Sequence, residues 1–270
     1  MPERISTKNL HLEAATNRLC GAGSVVFSVA IAGLGVETFV CARYSTHSLG
    51  PGYNVIPVLP WLPAIPWLAT IFGAVLAACG VGMLVPRTKR TSGIVLGGLL
   101  FLGAVLLDAP KYAAHIGNMS LRTIVFESLS LASLACLSTG WDESPKQLAV
   151  VSRILLGAAL VVFGVDHFLA IRFIATLIPA WIPWRAFWVV FFGVGMIAAG
   201  LSIGINFLAR WAAACIGLMF GIWVVTLHLP RVLGLYGIAG APRDPNEWSS
   251  LFIALALWGG FWALTRDRAT

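Results

Sequence analysis

Long apolar segments constrain this chain more than any other feature of its sequence. Of its 270 residues, 59% are hydrophobic and 11% are charged, and a helix needs about 20 mostly apolar residues to cross a bilayer. The pattern predicts an all-α fold, a polytopic membrane helical bundle with eight transmembrane helices. These spans cover residues 21–42, 67–86, 91–109, 122–141, 150–171, 184–205, 207–229 and 248–265.

Charge and cysteine content narrow the class of protein further. The net charge of +7 comes from basic residues beside the spans, where they act as topology signals, so no nucleic-acid partner is expected. The five cysteines show no Cys-x-x-Cys spacing, which argues against a dithiol redox centre or a thiolate zinc site. The lipid bilayer is therefore the expected partner.

The distribution of basic residues predicts the orientation of the chain. An even number of spans puts both termini on one side, and eleven of the 18 Lys and Arg residues fall on that side. The positive-inside rule then predicts cytoplasmic termini and a location in a bacterial inner (plasma) membrane. The first span lacks a small-residue cleavage site at its end and is interpreted as a retained helix.

Residues 120 positions apart reveal an internal repeat. Seven landmarks recur at this offset: Pro63, Phe72, Gly73, Gly80, Pro110, Lys111 and Glu127 correspond to Pro183, Phe192, Gly193, Gly200, Pro230, Arg231 and Glu247. Nearer the N-terminus the offset is 129, which aligns Glu37 with Asp166. Repeats of four spans each insert in the same orientation, so the sequence predicts two parallel four-helix repeats.

The repeat divides the chain into three parts. Residues 1–20 form a cytoplasmic N-terminal tail, residues 21–145 a degenerate first repeat and residues 146–270 the second repeat. In each repeat two glycines lie seven residues apart, Gly73 with Gly80 and Gly193 with Gly200. This spacing puts both on one face of a helix, where small residues permit close packing of helices.

Proline and tryptophan cluster before the second span of each repeat. In the second repeat the cluster includes Pro179, Trp181, Pro183, Trp184 and Trp188. One interpretation is an aromatic belt on a kinked segment in the membrane interface. Another is a cap over a polar cavity, or an aromatic clamp for a flat ligand such as a quinone ring.

Ionisable residues gather at the outer ends of the spans. They are Glu37, Asp108, Glu127, Asp166, His167, His228 and Glu247. Ionisable residues are costly in lipid and mark functional sites by default. Four interpretations compete. In the first, the groups form local ion pairs, with Asp108 near Lys111, Glu127 near Arg122 and Asp166 near Arg172. In the others they form a proton relay or quinone-head site, a metal site, or the polar wall of a lipid or solute cavity.

The two repeats differ at the positions of both histidines. Thr38 stands where the second repeat has His167, and Asp108 where it has His228. Histidine chemistry would therefore reside in the second repeat. No Glu-x-x-His or His-x-x-x-His spacing occurs among these residues, so no metal ligand is assigned.

The second repeat resembles the DoxX family of small four-helix membrane proteins. The resemblance covers residues 150–265 and rests on Phe163-Gly164-Val165-Asp166-His167-Phe168, Leu177 to Pro183, Phe187-Trp188, Gly195 to Ile203 and Leu227-His228-Leu229-Pro230. It implies a four-helix unit and quinone-linked redox work, since some members of that family are subunits of quinone-dependent oxidoreductases.

These observations lead to an expected function. The chain is expected to be the membrane or quinone-interacting subunit of a redox complex, with quinone as the candidate cofactor and a soluble or membrane redox subunit as partner. His167, His228, Asp166 and Asp108 are the candidate catalytic residues, and the candidate cofactor-binding residues are Glu37, Trp181, Trp188 and Glu127. The alternative is a non-enzymatic module that binds or transports a lipid or small solute.

Overall fold

The chain folds into helices alone throughout the part that the structure describes. The computed structural model describes residues 7–44, 66–139, 146–236 and 245–265, and these contain no strand. The helices are α1 Thr7–Tyr44, α2 Pro66–Leu84, α3 Lys89–Ala114, α4 Met119–Ser138, α5 Lys146–Leu169, α6 Ile171–Leu177, α7 Arg185–Ile205, α8 Ala209–Val232 and α9 Pro245–Ala263. The all-α prediction is confirmed.

Six helices are long and apolar enough to cross a membrane. They are α3, α4, α5, α7, α8 and the Thr16–Val40 part of α1. α2 contains a shorter apolar stretch, Thr70–Leu84, and the count of eight spans stays a prediction. The predicted repeat boundary near 145 lies outside the described residues. So do the prolines and tryptophan of the first cluster between positions 57 and 63.

The eight longer helices pack in a closed ring in chain order. Each contacts the next along the chain, α5 reaches past the short α6 to α7, and α9 returns to α1. α4 and α9 also contact each other across the ring. Apolar side chains from several helices fill the interior, including Phe27, Leu134, Leu156, Met196 and Phe261. The core therefore lies between the first and second halves of the chain.

Glycines set the distance between two helix pairs. A Cβ added to Gly80 of α2 would lie 2.7 Å from the carbonyl oxygen of Ser28 in α1. Likewise, a Cβ on Gly200 of α7 would lie 2.5 Å from the carbonyl oxygen of Gly157 in α5. Real Cβ atoms do not approach backbone this closely, so only glycine permits these contacts. The prediction of close helix packing at the glycine pairs is confirmed.

Both α3 and α8 contain a single π-helical turn. The turns are Ala104–Asp108 and Val224–His228, which are 120 residues apart, and each is followed by a proline two positions after its end. Proline has no N–H group, so Pro230 cannot donate a hydrogen bond to the carbonyl oxygen of Thr226 four residues earlier. That carbonyl oxygen accepts a hydrogen bond from the Tyr236 hydroxyl. π-turns of this kind often lie at functional sites.

Alanine substitution on α7 tests the glycine contact. We expect Gly200→Ala to lower the free energy of unfolding by roughly 1–3 kcal/mol, the usual cost of overpacking, because the new methyl group meets backbone of α5. Gly195→Ala on the same helix is the control, since nothing lies within 4 Å of its added Cβ. Thermal unfolding in one detergent would measure both. Equal midpoints for the two variants would contradict the contact.

Candidate functional site

A cavity of about 560 Å³ lies between α4, α5, α7 and α8. The short helix α6 and the segment that follows it also contribute to its wall. Most lining side chains are apolar or aromatic, and the ionisable ones are Glu127, His167 and His228. A second cavity of about 420 Å³ shares Glu127, His167 and Trp223 with the first. Mainly apolar cavities with a few convergent polar groups are typical ligand sites.

His167 projects from the last turns of α5 into this region. Its side chain is only 7% exposed, and Nδ1 lies 2.7 Å from the carbonyl oxygen of Phe163 one turn earlier. A carbonyl oxygen only accepts, so Nδ1 carries the hydrogen and Nε2 of the neutral ring is an acceptor. Nε2 is buried and has no hydrogen-bond partner among the described residues. His167 is therefore positioned to bind a donor on a ligand.

Trp223 of α8 holds the imidazole ring in place. The two rings stack with their centroids 5.7 Å apart and their planes 15° apart. Phe192 of α7 packs against the edge of the same tryptophan, at 5.6 Å between centroids. These ring contacts limit the orientations of Trp223 and of His167.

His228 reaches the larger cavity from the end of the π-turn in α8. Arg231, three residues later, donates from Nε to Glu247 of α9 at 2.7 Å, and its Nη2 also bonds this carboxylate. The bidentate pair fixes α8 against α9 beside His228. The π-turn and this ion pair together determine where the imidazole lies.

Asp166 and Arg122 form an ion pair between α5 and α4. The aspartate side chain is 8% exposed and the arginine side chain 21% exposed. Asp166 lines the smaller cavity beside His167. The predicted pairing of Asp166 with Arg172 is wrong, because Asp166 pairs with Arg122 of the adjacent helix α4 and Arg172 is exposed.

Glu127 of α4 lines both cavities. The predicted pairing of Glu127 with Arg122 is also wrong, because the guanidinium of Arg122 bonds Asp166 instead. Within the described part of the chain, Glu127 has no hydrogen-bond or ion-pair partner. Its carboxyl group is thus free to meet a ligand.

The segment between α6 and α7 lines the larger cavity. Ile178, Pro179, Trp181 and Ile182 line it, together with Trp188 in the first turn of α7. The indole nitrogen of Trp188 donates to the carbonyl oxygen of Pro183 at 3.1 Å, which ties the segment to the helix. Trp181 also has 69% of its surface exposed, so it borders the cavity and also forms part of the outer surface.

The other two predicted site residues lie away from both cavities. Asp108 is buried in α3, and its Oδ2 accepts from the Ser128 hydroxyl at 3.3 Å. It also interacts electrostatically with Lys111, as the local-pairing interpretation predicts. Glu37 is half-buried in α1, on the side of the ring that packs against α2 and α9. The structure thus brings together six of the eight candidates and leaves these two apart.

Sequence reasoning missed three residues that shape the site, namely Trp223, Phe192 and Arg122. The sequence contained a reason to choose Trp223. Tryptophan is enriched at membrane interfaces, so a tryptophan inside an apolar span is unusual. For Arg122 there was no such reason, since only the packing of α4 against α5 brings it to Asp166.

Comparisons with protein-family models, curated proteins and solved structures give no match. Among the described residues, no group of three or more His, Cys, Asp and Glu side chains is placed to hold a metal ion. Two imidazoles and a carboxyl group can exchange hydrogen bonds or protons with a flat, mainly apolar ligand.

Removing one member of the interhelical ion pair tests its role. We expect Arg122→Gln to destabilise the fold by about 2 kcal/mol, less than a fully buried pair would lose because Arg122 is partly exposed. Arg172→Gln, at an exposed position, should change the free energy of unfolding by less than about 0.5 kcal/mol. Thermal unfolding in detergent compares the two. A smaller loss for Arg122→Gln than for Arg172→Gln would refute the pair.

Proposed function

We propose that this chain is an integral membrane protein that binds quinone and serves as the quinone-interacting subunit of a redox complex. The observation that carries the proposal is the buried, partnerless Nε2 of His167, stacked on Trp223 at the wall of an apolar cavity. A quinone ring is flat and apolar, and a quinol has hydroxyl groups that an imidazole can accept from. His228 and Glu127 supply further hydrogen-bonding groups in the same cavity.

The proposal includes the architecture of two parallel four-helix repeats with eight spans. The 120-residue spacing of the two π-turns supports it. So does the packing, because the contacts α1 with α2 and α2 with α3 recur as α5 with α7 and α7 with α8. We propose that the chain lies in a bacterial inner membrane with both termini in the cytoplasm. In this orientation the cavity faces the outside.

The resemblance of the second repeat to the DoxX family belongs to the same proposal. The residues that carry it, from Phe163 to Phe168 and from Leu227 to Pro230, include both cavity histidines. In this proposal the histidines accept protons when quinol is oxidised, while the electrons pass to the cofactor of a partner subunit. Asp166, paired with Arg122, keeps the end of α5 in place beside them.

Quinone binding and its dependence on His167 test this function. The chain, purified with native lipid, should contain quinone after solvent extraction and mass spectrometry. We expect His167→Phe, which keeps an aromatic ring against Trp223 but lacks the acceptor Nε2, to weaken binding of the reduced quinol form by about tenfold, the effect of losing the one hydrogen bond that Nε2 accepts.

His115→Phe is the matched control, since His115 is exposed and lies in neither cavity. It should bind quinone as the unmodified chain does. Absence of extracted quinone, or equal affinity of the unmodified chain and His167→Phe, would exclude this function.

One observation favours the alternative, a non-enzymatic module for a lipid or small solute. Glu127 lines both cavities without an ion-pair partner among the described residues, and quinone recognition does not require a carboxylate. Solute uptake into proteoliposomes separates the two functions, because a redox anchor would produce none.

A further inference from the structure

The polar groups of the larger cavity have an unbalanced charge. Among the described residues, Glu127 is the only acidic one that lines it, and no described Lys or Arg lines either cavity. Both histidines are neutral in their ordinary form near pH 7. A ligand that enters the cavity therefore meets one carboxyl group and no fixed positive charge.

Three basic residues of the neighbouring helices interact with other acidic groups, and Arg172 and Arg185 are exposed and line neither cavity. Arg122 pairs with Asp166, and Arg231 pairs with Glu247. Lys111 interacts with Asp108 on its own helix. Glu127 itself is in no ion pair within the described part of the chain.

The two repeats differ at this point. Lys111 and Glu127 occupy the positions, 120 residues earlier, of Arg231 and Glu247. The later pair forms a bidentate ion pair between α8 and α9, whereas the earlier pair does not form. Asp108, which replaces His228 at the corresponding position, lies beside Lys111 instead. Glu127 therefore lacks the basic partner that Glu247 has.

Aromatic rings complete the surroundings of the carboxyl group. Trp181, Trp188, Trp223 and Phe192 line the same cavity. The faces of such rings carry partial negative charge and attract organic cations, and tryptophan does so most strongly. A volume of about 560 Å³ suits a ligand of several rings.

We propose that this cavity binds a lipophilic organic cation, with the positive charge at Glu127 and the apolar groups against the tryptophans. The inference deepens the alternative of a solute-binding module and does not depend on quinone binding. The cation replaces the missing basic partner of Glu127, and its apolar groups fill the space that the lining side chains leave.

Two ions of the same shape and opposite charge provide the first test. Tetraphenylphosphonium and tetraphenylborate would be titrated separately into the full chain in an uncharged detergent, with protein-free micelles as background. We expect saturable binding of the phosphonium, near one per chain, and binding of the borate no greater than background. Equal binding of both ions, or no saturable binding of the phosphonium, would overturn the proposal. This test needs no variant.

Two amide substitutions provide the second test. Glu127→Gln should weaken phosphonium binding by about tenfold or more, since it removes the carboxyl group in the cavity. Glu37→Gln should keep the affinity within about twofold, because this carboxylate belongs to α1 and lines neither cavity. An unchanged affinity in Glu127→Gln would refute the role of Glu127.

The quinone and cation experiments can fail separately. Loss of quinone binding in His167→Phe with no phosphonium binding to the unmodified chain would leave the redox function and overturn the cation site. Phosphonium binding that depends on Glu127, in a chain that extracts no quinone, would do the reverse.

Discussion

The close contact between α5 and α7 determines where the polar groups of the cavity lie. A Cβ at Gly193 of α7 would lie 3.0 Å from the Cβ of His167 and 3.2 Å from the carbonyl oxygen of Gly164. The absence of a side chain at 193 therefore allows His167 to remain between the two helices while its ring stacks on Trp223. Small residues permit this approach in lipid, where burial of apolar surface does not drive helices together. The glycine contacts thus serve the site as well as the fold.

Ion pairs join neighbouring helices around the cavity. Arg122 joins α4 to α5 through Asp166, and Arg231 joins α8 to α9 through Glu247. A charge away from water is costly unless it is paired, so these residues have strong reason to find partners on adjacent helices. The pairing leaves the cavity with two imidazoles and one carboxyl group, and these groups determine which ligands it can hold.

The sequence predicted the helices and named six residues that line the cavities, but it did not predict their partners. Apolar length predicts a helix, and glycines seven residues apart predict a close face, because both properties are local. The partner of Asp166 depends on which helix packs beside α5, and Arg122 is 44 residues away in the chain. Proximity in sequence suggested Arg172 as the partner instead. That prediction failed because it took no account of which helix packs beside α5. Asp108 and Glu37 share an end of the bundle with His167, yet the ring order of the helices keeps them out of both cavities.

The proposed duplication explains why the site is one-sided. In the first half, Thr38 stands in the place of His167, and its hydroxyl donates to the carbonyl oxygen of Leu34 at 2.8 Å. Asp108 stands in the place of His228 and accepts from Ser128. The second half has histidines at both positions, and they face a cavity. The first half contributes Glu127 and Thr123 from α4 to that cavity. Its wall therefore needs helices from both halves, and neither repeat on its own contains the complete set of polar groups.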